Sequence, residues 1–417
     1  MHTGTSIRGD PAGTPPFDEH IKTVLQRLRS AFAELLSAVG ADPTKPQETA
    51  RQLGLNKSLT WKISKIIREA DPAVALPHLP GKPGLRIFLD SLKRAGAPPK
   101  ALAALHEATG ELDRLIKLHA GDRETLGLML GHLAGNSEGL LQQEAQRKLA
   151  FRGNSATFGV QARVQICVNF IAPSEDPDWV DLAWLSGLVD FRRLRRDAAW
   201  AIASTRKITD DGTLMPVGVL QPIDPGFAGA DQAPLLGEYC SKPLPGIRIY
   251  TGSDALIRYE LVEGPVGDTA AATCIIGIFG RRFVRRTCAP GDTLGEHGAR
   301  LYTPAELLIH DFFVHRDLEY AMSPQIHLYN QLPSAPPYPG GGRDCGLLPL
   351  CEEVQYLGGG PPDVLAPEVP AYRSMIQSVF ARVGWNVHDF HGFRLTMRYP
   401  PIPTLALYRY ELPERAS

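Results

Sequence analysis

Two clusters of histidine and acidic side chains are the groups in this chain that could bind a metal or transfer protons. The first is HDFFVHRDLEY at residues 310–320, and the second is HDFH at residues 388–391. Imidazole and carboxylate groups are common zinc ligands and general acids or bases. Together the clusters could supply four ligands. The candidate metal ligands are His310, His315, His388 and His391.

The spacing within the first cluster does not fit a zinc-binding helix. Residues 303–306 (TPAE) fit a capping box, which predicts a helix from there to about Leu318. On that helix His310 and His315 would lie about 140° apart in projection, unlike the i, i+4 histidines of a zinc helix. Asp311 and His315 have the i, i+4 spacing, but one such pair does not define a site. Solvated or core histidines are the alternative interpretation.

Motifs that carry cofactors or activated nucleophiles are absent from the sequence. There is no GxSxG, HExxH or protein-kinase motif, and EGPVGDTAA at residues 263–271 lacks the spacing of a phosphate-binding loop. A turn between strands is expected there. The sequence therefore predicts no cofactor and favours a protein that is not an enzyme. An enzyme with a His/Asp site in the C-terminal region is the second hypothesis, and a structural or assembly protein is the third.

A basic segment at residues 44–70, TKPQETARQLGLNKSLTWKISKIIREA, has the side chains needed to contact a polyanion. From Lys45 to Arg68 it holds six Lys or Arg against one acidic residue, although the whole chain has a net charge of −1. Neutralisation of phosphates supplies most of the non-specific affinity for DNA. The residues expected to contact nucleic acid are Lys45, Arg51, Lys57, Ser58, Trp61, Lys62, Lys65 and Arg68.

The same segment is typical of two short helices joined by a glycine turn. Thr44 and Gln47 fit a capping box at the start of the first helix. That helix is expected to end near Leu53, because Gly54 suits a left-handed residue after a helix. Asn56 is expected to cap the second helix by accepting from amides of its first turn.

The second helix is predicted to be amphipathic. At 100° per residue its apolar side chains form one stripe, comprising Leu59, Ile63, Ile66 and Ile67. Polar, basic and aromatic residues fall on the other side, comprising Ser58, Trp61, Lys65 and Arg68, with Lys62 at the flank. Trp61 could stack on a sugar or base, or could cover a neighbouring helix.

This segment resembles the DNA-binding helix-turn-helix of bacterial transcription regulators. The matching residues are Ala50, Leu53-Gly54-Leu55, Ser58 and Ile63, and the resemblance covers 27 of 417 residues. Leu59-Thr60 replaces the usual β-branched residue, and no wing hairpin follows. The resemblance implies binding to double-stranded DNA, usually as a homo-oligomer such as a dimer. It also implies that the C-terminal region, residues 151–417, senses a small-molecule effector, oligomerises or binds a partner. A plain helical hairpin with a solvated basic face is the alternative.

Periodicity divides the chain near residue 150. We expect a disordered tail at 1–17 and an all-helical region at 18–150. An α+β region with a mainly antiparallel sheet is expected at 151–417. Helices are predicted at 18–39, 84–95, 98–119, 122–134, 137–150 and 370–384. Strands are predicted at 160–170, 198–205, 246–250, 256–262, 272–280, 392–399 and 404–410.

Composition and cysteine usage favour a cytoplasmic protein. Hydrophobic residues are 43% and charged residues 21% of the chain, as in ordinary globular proteins. No signal peptide or membrane-spanning stretch is recognisable. Of the six cysteines, Cys167 and Cys274 are predicted to be buried thiols. Cys345 and Cys351 could pair, but a reducing compartment is the simpler expectation.

Two further features could contact ligands or partners. Arginine runs at residues 192–196 and 281–286 could face phosphates or could form intrachain salt bridges. Pro- and Gly-rich stretches at residues 215–234, 332–350 and 357–370 exceed the usual length of connections and are candidate binding loops or contact arms.

Overall fold

The chain forms two compact units, Met1–Gln143 and Glu144–Ser417. The computed structural model describes residues 15–133, 137–205, 207–208, 214–215, 220–229, 232–251, 257–289, 293–331, 346–360 and 362–415. Of the disordered tail predicted at 1–17, residues 1–14 lie outside the described residues. The α+β class is confirmed, since helices occupy the N-terminal part and mainly antiparallel sheets the C-terminal part.

Helices make up the first unit, as predicted. Their bounds are α1 Phe17–Ala38, α2 Pro46–Leu53, α3 Lys57–Arg68, α4 Pro72–Ala75, α5 Lys82–Arg94, α6 Pro99–Leu115, α7 Arg123–Leu133 and α8 Ser137–Phe158. A π-helical turn, Ile116–Ala120, follows α6, and α8 continues into the second unit. The core is built around α1, whose apolar stripe is buried. Phe32 of α1 packs against Phe88 of α5, with ring centroids 5.7 Å apart.

Strands dominate the second unit. Their bounds are β1 Val160–Pro173, β2 Trp179–Arg193, β3 Trp200–Thr205, β4 Lys207–Ile208, β5 Leu214–Met215, β6 Gln221–Pro222, β7 Ile247–Thr251, β8 Ile257–Leu261, β9 Ala272–Arg285, β10 Leu294–Leu301, β11 Ala305–His315, β12 Gln325–Asn330, β13 Leu347–Leu348, β14 Gln355–Gly359, β15 Phe390–Arg398 and β16 Thr404–Glu411. One further helix, α9, spans Tyr372–Val383.

A seven-stranded sheet forms the centre of this unit. Its order is β14-β15-β11-β1-β2-β9-β6, and β1 and β11 pair in parallel while their other neighbours are antiparallel. Smaller sheets have the orders β10-β16-β12-β13 and β3-β8-β7.

Both faces of the central sheet are covered. On one face Phe170 of β1 lies 4.9 Å from Phe313 of β11 and 5.3 Å from Phe380 of α9, measured between ring centroids. On the opposite face Phe312 of β11 lies 5.4 Å from Tyr408 of β16. The central strands are therefore buried between α9 and the sheet that contains β16.

The predicted helix from residue 303 to about Leu318 is wrong, because this stretch contains strand β11. Thr303 does not cap a helix; its Oγ1 accepts a hydrogen bond from Trp200 Nε1 at 2.9 Å. Nearly all of β11 is buried, with Ile309 and Phe313 facing one way and His310 and Phe312 the other. The sequence of a central strand of this kind is a nearly continuous apolar run. Hydrophobic periodicity does not distinguish such a run from a buried helix. The strands β2, β10 and β12 are also not predicted from the sequence.

The cysteine predictions can be compared in part with the structure. Cys167 and Cys274 are buried free thiols, as predicted. Pairing of Cys345 with Cys351 lies outside the described residues, because Cys345 is not among them. Within the part of the chain that the structure describes, no helix is both long and apolar enough to cross a membrane.

Candidate nucleic-acid interface

The turn between α2 and α3 has the local structure that its sequence predicts. Gly54 adopts a φ of 64°, in the left-handed region that favours glycine, and the amide of Leu55 donates to Ala50 O at 2.9 Å. Asn56 caps α3, because its Oδ1 accepts from the Ser58 amide at 2.8 Å. The start of α3 is therefore fixed by two local interactions, at Gly54 and at Asn56, two residues apart.

The capping box predicted for α2 is wrong. The N-cap of α2 is Lys45, and no side chain caps the helix there. Thr44 instead belongs to the preceding turn, where its Oγ1 donates to Asp42 Oδ1 at 2.7 Å. The local hydrogen bond to an aspartate two residues earlier competes with the cap. Pro46 still opens the helix, where its missing N–H leaves no bond unmade.

A polar side chain adds to the apolar contacts between α3 and its neighbours. Ile63 and Ile66 are fully buried, whereas Leu59 and Ile67 are half-buried. Thr60 and Ser64 are buried as well, and Ser64 Oγ donates to Pro43 O at 2.8 Å. The sequence pattern misses these two, because hydroxyl side chains look like solvent-facing residues.

The C-terminal end of α3 is tied to α1. Arg29 Nε donates to Ile67 O at 3.0 Å, which satisfies one of the carbonyls left without a helical partner. A second hydrogen bond joins α2 to the residue that follows α1, because Gln52 Nε2 donates to Val39 O at 3.0 Å. These bonds join the α2–α3 pair to the long first helix. The sequence gives no signal for this role, because Arg29 lies in the middle of α1 and Ile67 is 38 residues away.

The predicted nucleic-acid-contacting residues are at the surface. Seven of them are exposed, comprising Lys45, Arg51, Lys57, Ser58, Trp61, Lys62 and Arg68, and Lys65 is half-buried. Trp61 is 47% exposed. Its ring meets that of His78 edge to face at 5.2 Å, and Lys65 Nζ lies 5.8 Å from its centroid. The tryptophan is therefore supported from one side and open on the other.

Two of these cations have acidic neighbours. Lys45 Nζ lies 3.5 Å from Glu48, and Lys65 Nζ lies 3.6 Å from Glu69. Exposed pairs of this kind are weak and leave the lysine available to a phosphate. Among the residues that the structure describes, Lys57, Lys62 and Arg68 have no acidic group within 4.0 Å. The outer face of α3 therefore carries a concentration of uncompensated positive charge.

The arginine runs of the second unit are largely used inside the fold. Arg192 contacts Asp268 and lies 3.8 Å from Glu306. Arg193 is buried, with its Nε donating to Ala198 O at 3.0 Å. In the second run Arg281 lies 3.5 Å from Glu175. These arginines therefore form intrachain contacts, which is the second of the two interpretations of the arginine runs.

Strand geometry separates the histidines proposed as metal ligands. His310 and His315 are five residues apart on β11 and point to opposite faces. His391 pairs with Val314, four residues beyond His310, so about 13 Å of strand separates those two histidines. Across the described residues, no group of three or more His, Cys, Asp or Glu is placed to hold a metal ion.

Each of these histidines has a local partner. His310 is fully buried and its Nδ1 lies 3.2 Å from Cys167 O. The Nδ1 of His388 is 3.3 Å from Gly360 O, and that of His391 is 2.7 Å from the Tyr356 hydroxyl. His315 lies 3.6 Å from the Asp317 carboxylate. The four side chains are dispersed and do not form one site.

Comparison with family models, with curated proteins and with solved structures gives no match to this chain.

Proposed function

We propose that this chain is a DNA-binding transcription regulator whose α2–α3 pair contacts double-stranded DNA. The observation that supports the proposal most directly is the outer surface of α3, where Lys57, Lys62 and Arg68 are exposed on the same helix as a half-exposed tryptophan. A recognition helix places the side chains of its N-terminal part on base edges in the major groove. Lys57, Ser58 and Trp61 occupy that part of α3.

The fixed geometry of the pair also supports this proposal. DNA recognition requires side chains held on a rigid element, because their positions must match those of the bases and phosphates. Gly54, Asn56, Ser64 and Arg29 give α3 hydrogen-bonded contacts at its start, middle and end. In this proposal the second unit would be a sensing or interaction domain, and the regulator would act as a homo-oligomer on paired half-sites.

The test is the salt dependence of DNA binding by the full chain. Fluorescence anisotropy of a labelled duplex would be measured between low and physiological salt for the wild type and for Lys57→Gln/Lys62→Gln. Each lost phosphate contact lowers the slope of log affinity against log salt by about 0.9, so the double variant is expected to lose roughly 1.8.

A matched control has the same loss of charge elsewhere in the first unit. Lys93 and Lys100 are exposed and lie on α5 and α6, so Lys93→Gln/Lys100→Gln should keep the wild-type slope. Equal slopes for the two double variants would mean that α3 is not the contact surface. Absence of wild-type binding at low salt would remove the proposed function altogether.

A further inference from the structure

A cavity of about 670 Å³ lies within the second unit. Residues of β1, β2, β3, β8, β9, β10 and β16 line it, so it lies where three sheets meet. Pockets of roughly 300–1,000 Å³ are the size that holds small organic ligands. Protein interiors are close-packed and hold few voids larger than a water molecule, so a space of this volume is unusual.

The buried part of the cavity is polar. Gln165 and Asn169 of β1 and His297 of β10 line it, and their relative exposures are only 5%, 4% and 4%. Gln165 Nε2 donates to Arg300 O at 2.7 Å, whereas its Oε1 is buried with no hydrogen-bond partner within the described residues. That oxygen is itself closed off from the cavity, so Gln165, Asn169 and His297 give the buried end a polar surface without offering this acceptor to a ligand.

The walls of the cavity are apolar and aromatic. Trp184, Trp200, Phe283 and Leu407 line them. Trp184 Nε1 is engaged by Cys167 Sγ at 3.4 Å, so this indole presents mainly its hydrocarbon surface. A ligand with an extended hydrocarbon body fits such walls, because burial of apolar surface supplies its affinity.

The rim of the cavity is basic. Arg258 and Arg285 line it and are exposed. Among the described residues that line the cavity, the one acidic side chain, Glu296, is paired with Arg409 Nε at 2.9 Å. The uncompensated charge of these described residues is therefore positive, and it favours an anionic group on the ligand.

The side chains that could perform catalysis in the cavity are inactive near neutral pH. Burial raises the pKa of the Cys167 thiol to about 12, so it is not a thiolate nucleophile. Burial also lowers the pKa of His297 to about 3, and its Nε2 lies 2.9 Å from the Tyr410 hydroxyl. These groups suit recognition and not proton transfer or nucleophilic attack.

We propose that this cavity binds an organic acid with a hydrocarbon body, with the acid group at the basic rim that carries Arg258 and Arg285. The hydrocarbon part would lie against Trp184 and Trp200. If this ligand is called an effector, that term rests on the proposed regulator function. The proposal that the cavity binds the ligand does not rest on that function.

The experiment is a titration of the full chain without DNA, followed by the change in tryptophan fluorescence. Two probes of one length are compared: decanoate and 1,10-decanediol. Decanoate should bind saturably, because it supplies both the hydrocarbon body and the acid group. The diol should bind roughly 10-fold more weakly than decanoate, because it lacks the charge.

One variant and a matched control locate the contact. Arg258→Gln should weaken decanoate binding by roughly 3-fold or more and leave diol binding unchanged. Arg248→Gln removes the same charge from the neighbouring strand β7, outside the cavity lining, and should have no effect.

The proposal is overturned if decanoate does not bind saturably, if the diol binds as tightly as decanoate, or if Arg248→Gln weakens binding as much as Arg258→Gln. Arg258 is exposed, so its substitution leaves the packed interior unchanged. Because no DNA is present, loss of ligand binding and loss of DNA binding are distinguishable results.

Discussion

Asp311 and Arg394 form a two-pronged ion pair across neighbouring strands of the central sheet. Arg394 Nε donates to Asp311 Oδ1 at 2.8 Å and Nη2 donates to Oδ2 at 2.6 Å. The Tyr372 hydroxyl of α9 donates to Oδ2 at 2.7 Å. Asp311 is fully buried and Arg394 is 7% exposed. The pair joins β11, β15 and α9 inside a core that is otherwise mostly apolar.

Removal of the arginine alone should be strongly destabilising. Arg394→Leu leaves the Asp311 carboxylate buried and uncompensated, and we expect a loss of about 3–5 kcal/mol in the free energy of unfolding. The double variant Asp311→Leu/Arg394→Leu removes both charges and should be more stable than the single variant. Urea denaturation of the two single variants and the double variant measures the coupling. Strictly additive losses would contradict this account of the pair.

The sequence predicts local structure well in this chain and long-range structure less well. Gly54 and Asn56 determine their turn and cap with neighbours a few residues away, so their roles are predictable. The strand β11 is predicted as a helix because its conformation depends on pairing with β1, more than 130 residues earlier. Periodicity carries no information about a partner strand.

The cavity illustrates the same limit. Gln165 and Asn169 stand out in the sequence as polar residues at alternate positions of an otherwise apolar strand, which is a visible signal. These two residues line the same cavity as His297 and Arg258 only because three sheets pack together. The sequence pattern does not predict that packing. The metal hypothesis grouped side chains by residue type, and the structure disperses them.

Acid should destabilise the second unit through two buried neutral histidines. Burial lowers the pKa of His297 to about 3 and that of His310 to about 4, both from an ordinary value of 6.5. Between pH 6.5 and 4 the unfolded chain binds protons at these positions and the folded chain does not. Stability is therefore present above pH 6.5 and is lost as the pH falls, by up to about 1.4 kcal/mol per pH unit for each histidine.

Urea denaturation at several pH values between 7 and 4.5 measures this loss. Carboxylates also titrate near the lower limit, so the informative quantity is the difference between the wild type and His297→Gln. The variant should lose about half of the histidine contribution to the slope. Parallel stability curves for the two proteins would show that His297 is not a source of acid sensitivity.

Two glycines should respond oppositely to substitution by alanine. Gly54 has a φ of 64°, where an alanine is strained, so Gly54→Ala should cost about 1–2 kcal/mol. Gly110 lies inside α6, and an added Cβ there would meet only Arg114 Nη1 at 3.7 Å. Gly110→Ala should therefore stabilise the protein by about 0.5–1 kcal/mol. Thermal melts measure the change in stability of each variant relative to the wild type. Changes of the same sign in both variants would refute the conformational argument.

Trp61 should contribute to DNA affinity without contributing to its salt dependence. Its ring is supported by His78 and remains 47% exposed, which leaves a face for a sugar or base. Trp61→Ala should weaken binding roughly 10-fold and keep the wild-type salt slope, because no phosphate contact is lost. His78→Ala removes the intrachain ring contact alone and should change affinity by less than about 2-fold. Anisotropy titrations at several salt concentrations separate these effects. An equal loss in both variants would assign Trp61 to packing within the first unit, as a cover for its neighbour and not as a contact for DNA.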